Sequence, residues 1–228
     1  MPSSSNPDLF EIINKKGQLK QLVYRNTLES VNLIKKAITE LQQEYQKKYA
    51  KDPQAIPFVY KDMGEFEVHL QFAGDILIFT MHTNIFEFSR YHEVMTTNYI
   101  REDKDRSYCG IINIYNFLAD SYKYNRDNDV GYLIGRIFIN KDRCYFIEGK
   151  REVGLLYNNF GSELLDEQTA LKIVESAVLY TINFDLLTPP YDSVKEISLS
   201  EMKSKVDSYT LKTGKRLGFK FLADTAED

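Results

Sequence analysis

From Gln18 to Tyr49 neither proline nor glycine interrupts the chain, and Val31, Ile34, Ile38, Leu41 and Tyr45 recur at steps of three and four. That spacing predicts a long helix with a narrow apolar seam. Lys35, Lys36, Glu40, Glu44, Lys47 and Lys48 border the seam, and Leu28, Leu33 and Ala37 widen it locally. A stripe of this width suits packing on a sheet or a helix-to-helix dimer contact. Packing on the chain's own sheet is the first expectation, with dimerisation a second use of the exposed end. Upstream, Leu9, Phe10, Ile12 and Ile13 form a short apolar turn, and Asn14-Lys15-Lys16-Gly17 predicts a break, because glycine after a basic last turn is a common helix stop. Residues 1–17 are therefore expected to be a mobile leader and a short helical turn.

Beyond Asp52-Pro53 and Pro57 the period falls to two. Glu65 to Phe72 and Ile76 to Thr83 flank Gly74-Asp75, which reads as a two-residue hairpin loop. In that register Phe72 faces Leu77, Leu70 faces Phe79 and Val68 faces Met81. The other face pairs Gln71 with Ile78, His69 with Thr80 and Glu67 with His82, so both strands sort by polarity. Tyr132 to Asn140 and Arg143 to Gly149 predict a second hairpin turning at Lys141-Asp142, apolar on both faces and so covered on both. Tyr108 to Leu118, Ile56 to Lys61 and Val153 to Tyr157 bring the expected total to six or seven strands. His92 to Asn98 reads as a short helix, Arg101 to Arg106 as a charged loop and Asn125 to Asp129 as a polar turn. Asp166 opens a helix to about Asn183, with Leu171, Val174, Val178 and Ile182 on one face.

The expected fold class is thus α+β: an antiparallel sheet of six to seven strands packed by a long N-terminal helix and a C-terminal helix. It occupies residues 18–187 as a single domain, and residues 188–228 form an appendage with a short helix near Ser200 to Tyr209 and a tail. The order of elements over residues 18–187 resembles that of GAF and PAS sensor domains. The resemblance implies a module that binds a small molecule or partner, dimerises through its terminal helices and passes occupancy on as a shift in helix packing.

Composition adds limits. The chain has 228 residues, 43% hydrophobic and 27% charged, ordinary globular usage. Residues 1–51 carry nine Lys or Arg against five Asp or Glu, so that with a net charge of -4 overall the remainder stands at -8. The asymmetry lacks the dense basic stripe that meets nucleic-acid phosphates, so nucleic acid is not expected as a partner. The start has no basic region followed by an apolar run, and no stretch approaches the length of a membrane span. With two cysteines only, Cys109 and Cys144, a disulfide framework is not expected and a cytoplasmic, reducing location is.

Candidate chemistry is sparse. The hairpin register places Glu67, His69 and His82 on one face, with the two histidines diagonal neighbours about 7–8 Å apart at Cα, within reach of a shared ion. The competing reading is a polar face on which Glu67 hydrogen-bonds a histidine. These three residues are the candidate binding site. No catalytic residue, resident metal or cofactor is assigned. Asp127, Asp129 and Gly131 match fragments of a calcium loop without its closing glutamate and read as a turn. Cys109 and Cys144 sit in apolar strands as small buried hydrophobes. Sixteen tyrosines and fourteen phenylalanines fit strands and a wet-edged core rather than a ligand cage. The sequence therefore favours a non-enzymatic binding or protein-interaction module, sensor-like or a subunit of a larger assembly. A protein partner or self-association is expected, a small-molecule ligand is compatible, and a membrane is not. An enzyme of unspecified reaction, metal-dependent through the His/Glu cluster, is the alternative.

Overall fold

The computed structural model describes residues 8–149, 160–185, 188, 190–200 and 202. It opens with one helix, α1, spanning Leu9–Tyr49. Asp8 caps it by accepting a hydrogen bond from the Phe10 amide at 3.1 Å, and Lys47 and Lys48 lie in its last turn, where cations suit the helix dipole. The break expected at Gly17 does not occur. An interior glycine costs a helix only about 1 kcal/mol relative to alanine, too little to stop one that is anchored farther along. The Asn14 and Gln18 side chains also bond across this turn at 3.3 Å.

The strands are β1 (Phe58–Asp62), β2 (Glu67–Phe72), β3 (Asp75–Met81), β4 (Phe86–Glu87), β5 (Tyr108–Leu118), β6 (Tyr132–Asn140) and β7 (Tyr145–Gly149). They form an antiparallel meander in the order β1-β2-β3-β5-β6-β7, with two-residue β4 pairing beside β3 on β5. The remaining helices are α2 (Asn98–Glu102), α3 (Ala119–Lys123), α4 (Glu167–Ile182) and α5 (Tyr191–Val194). Helix α4 starts at the Asp166 cap, whose carboxylate accepts from the Thr169 amide at 2.8 Å. The architecture is the expected α+β arrangement, and the likeness to GAF and PAS domains extends only to the order of elements. No helix among the described residues is long and apolar enough to cross a membrane.

Helices α1 and α4 pack on the same face of the sheet. Val31, Ile34 and Ile38 of α1 and Ile173, Val174 and Ala177 of α4 meet Val68, Leu70, Leu77, Phe79, Ile112, Ile114, Ile137 and Ile147 from the strands. The narrow seam read from α1 is therefore a sheet-packing stripe. Outside the core, Lys36 of α1 pairs with Glu167 of α4 at 2.6 Å.

The first hairpin turns one residue earlier than expected. Its loop is Ala73-Gly74, with Ala73 left-handed at φ 45°, so Phe72 faces Asp75, Leu70 faces Leu77 and Val68 faces Phe79. Each partner moves by two positions, which preserves the faces: Val68, Leu70, Phe72, Leu77, Phe79 and Met81 all stay in the core. In the second hairpin Asn140 bonds Cys144, leaving the three-residue loop Lys141-Asp142-Arg143 with Arg143 at φ 63° rather than a two-residue turn.

The helix expected at His92–Asn98 and the loop expected at Arg101–Arg106 give way to three short helical turns: Glu93–Thr96, α2 and Lys104–Ser107. Local caps make them. The Thr97 hydroxyl accepts from the Ile100 amide at 3.4 Å, and the Asp103 carboxylate accepts from the Asp105 amide at 3.0 Å. The strand expected at Val153–Tyr157, and most of the helix expected near Ser200–Tyr209, lie outside the described residues.

Candidate functional site

Glu67 and His69 lie two apart on β2 and so share the sheet face away from the helices. His69 is 6% exposed; its Nε2 meets Glu67 Oε1 at 2.7 Å, and its ring stands edge-on to Tyr122 at 5.6 Å. Burial, helped by the Glu67 charge, raises the Tyr122 hydroxyl above its ordinary pKa. His82 does not join them. Because His69 faces Ile78 rather than Thr80, His82 lies four residues along the neighbouring strand, roughly 13 Å away at 3.3 Å per residue. Its amide donates to the Ile111 carbonyl at 2.8 Å, its Nδ1 accepts from the Asn84 amide at 3.0 Å, and its ring meets Phe86 edge-on at 4.8 Å. The expected histidine pair is thus corrected by the turn. Among the described residues no group of three or more His, Cys, Asp or Glu could hold a metal.

That same face carries a polar row across five strands, in which Glu67, Thr80, Asn113, Arg136 and Glu148 are successive partners. Arg136 Nε donates to Glu148 at 2.7 Å, so the row is partly neutralised within itself. Beside it, Phe138 and Phe146 are buried under Phe88, Val94, Met95 and Phe160. The chain's own loops thus cover one end of the face that the apolar strands require to be covered.

Cys109 belongs to that second cluster, and burial pushes its thiol up to about 12. The folded pKa lies above the unfolded one, so the contribution of Cys109 to folding stability is fully present below about pH 8.5 and is lost as pH rises toward 12. Urea midpoints measured across that window are expected to decline less steeply for Cys109→Ala than for the parent chain; parallel declines would assign the alkaline loss to other groups. Asp129 accepts from the Ser121 hydroxyl at 2.6 Å and pairs with Arg126 at 2.7 Å, closing the turn that resembled a calcium loop.

Two features remain that lie beyond the candidates read from the sequence. The first is a cleft of about 680 Å³ between α1 and the β3–β4 connection, lined by Lys20, Gln21, Tyr24 and Arg25 from the helix, by Thr83, Asn84 and Ile85 from the loop and by Phe86 at the start of β4. The loop is braced by His82, which holds Asn84 and Phe86 in the contacts described above. At its outer end Glu87 accepts from the Tyr108 hydroxyl at 2.9 Å, and Lys16 sits over the Tyr108 ring at 3.9 Å. A hint of the cleft was present in sequence: Lys20 has no acidic residue three or four positions away on either side, so its charge has no helical partner.

The second feature is the start of α1. Residues 8–18 are exposed throughout, and Leu9, Phe10, Ile12 and Ile13 are 63%, 75%, 49% and 58% exposed, although all four are large and apolar. The first buried position of the helix is Val23. No protein-family model matches the chain, and no curated protein or solved structure matches it either, so its own geometry carries the functional reading.

Proposed function

We propose that the protein is a non-enzymatic interaction module that pairs with a second copy of itself through the exposed beginning of α1. The single observation that carries this reading is the concentration of four large apolar side chains on the first two turns of a helix that otherwise packs on its sheet. Scattered exposed hydrophobics are ordinary, whereas a contiguous set favours a contact surface. The charges favour antiparallel pairing: Glu11 lies toward one end of the exposed stretch, and Lys15 and Lys16 toward the other. Two copies in opposite directions set acid against base, while a parallel pair stacks lysines. An isologous two-fold contact is also the commonest way for one chain to cover one patch.

Light scattering tests this on the full-length chain. Deleting the helix is unsuitable, because Val23, Val31, Ile34 and Ile38 belong to the buried interior. The expected result is a mass near twice 26.6 kDa for the parent and near 26.6 kDa for Leu9→Glu/Ile13→Glu, with unchanged circular dichroism. A parent that stays monomeric at every concentration, or a variant that still pairs, rejects the reading.

A further inference from the structure

We propose that the cleft between α1 and Thr83–Phe86 binds a small phosphate-bearing organic anion with a planar body. The cleft's volume falls in the range of small-molecule sites, roughly 300–1,000 Å³. Among the described residues its lining holds two cationic side chains, Lys20 and Arg25, and no carboxylate. Among the described residues, neither Lys20 nor Arg25 has an ion pair or hydrogen-bond partner. The neighbouring cations differ: Lys35 is held by Asp62 at 2.7 Å, Lys36 by Glu167, and Arg143 by Glu29 at 3.3 Å. Glu29, the acidic residue one turn from Arg25, is therefore already engaged. The positive charge of the cleft is left for a ligand.

The donors define the class further. Lys20 and Arg25 are five positions apart on the helix, about 7.5 Å along the axis, so the two cations flank the Gln21 and Tyr24 positions between them. Gln21, Asn84, Thr83 and Tyr24 add neutral donors to the ammonium and guanidinium groups. A phosphate or pyrophosphate offers several acceptor oxygens and takes the guanidinium fork in two parallel bonds, which matches a donor-rich wall. Tyr24, Ile85 and Phe86 supply the apolar remainder. Tyr24 is set against Phe66 at 6.4 Å between centroids and Phe86 against His82, so both rings are held before a ligand arrives. A planar, ring-bearing body is what two such aromatic walls accept.

Titration calorimetry on the full chain, with ADP, inorganic pyrophosphate and adenosine as probes, tests the assignment. Lys20 and Arg25 are exposed, so Lys20→Gln/Arg25→Gln is expected to keep the parent's circular dichroism and thermal midpoint. ADP is expected to bind saturably, pyrophosphate more weakly and adenosine weakest, with ADP affinity falling as salt rises and dropping at least about tenfold, 1.4 kcal/mol, in the double variant. No saturable heat from ADP or pyrophosphate up to about 1 mM overturns the inference. So does adenosine binding as tightly as ADP, or a double variant that binds ADP like the parent. The dimer reading above is read by mass alone and stands or falls separately.

Discussion

Gly110→Ala is expected to lower the urea midpoint by an amount equivalent to about 3 kcal/mol, and Gly110→Val to yield little folded protein. Gly110 sits in β5 directly under α1, where an added Cβ would lie 2.0 Å from Thr27 Oγ1, 2.8 Å from its Cβ and 2.9 Å from its Cγ2. Thr27 cannot swing away, since it is fully buried and its hydroxyl donates to the Val23 carbonyl at 2.7 Å. The helix cannot lift locally, because Val23 and Val31 on either side are themselves seated in the interior. With total stabilities of about 5–15 kcal/mol, a valine at this crossing consumes most of what a domain has. Thr27→Ala removes the two outer atoms of the clash and is expected to recover part of the loss in the Gly110→Ala background. A Gly110→Ala chain with the parent's midpoint would place the helix elsewhere.

Asn140→Ala is the second large effect, expected to cost about 3 kcal/mol and to lower the thermal midpoint by roughly 6–12 °C. Fully buried Asn140 closes the loop Lys141-Asp142-Arg143. Its Oδ1 accepts from the Asp142 and Cys144 amides at 3.0 and 3.1 Å, and its Nδ2 donates to the Tyr99 hydroxyl at 2.9 Å. Tyr99 in turn donates to Asp142 Oδ2 at 2.9 Å, which also accepts from Arg106 Nε at 2.8 Å. From the opposite side Asn26 donates to the carbonyls of Asn140 and Lys141 at 3.0 and 2.8 Å. Alanine takes this partner from the buried Cys144 amide and from the part-buried Asp142 amide and Tyr99 hydroxyl, and each unmet buried group costs about 1–3 kcal/mol, less than additively. Differential scanning calorimetry reads this directly. A shift below about 2 °C would mean that the loop holds its shape without the amide.

The contrast between these positions explains what could be seen in the chain beforehand. Strand faces were legible because alternation depends on parity: the Ala73-Gly74 turn displaced every partner in the first hairpin, yet Val68, Leu70, Leu77 and Phe79 kept their side of the sheet. The histidine neighbourhood failed at the same turn, since it depended on distance along the strand and not on side. The break expected at Gly17 does not form because the burial that holds the helix farther on, from Val23 to Ile38, outweighs a local stop signal. Asn140, Tyr99, Arg106 and Asn26 are spread over more than a hundred residues, and polar residues at such separations leave no periodic trace. The cleft has the same origin, a helix face and a loop some sixty residues apart that carry no shared spacing.

The uninterrupted course of α1 has a mechanical consequence. A helix of 41 residues is about 60 Å long, and the stretch from Val23 back to Leu9 makes a lever of about 20 Å. A tilt of about 5° at the fulcrum, where Lys20 to Arg25 wall the cleft, displaces the tip by roughly 2 Å. Whatever wedges the base of such a rod and whatever grips its tip would load one stiff body, and each would feel the other to the same degree.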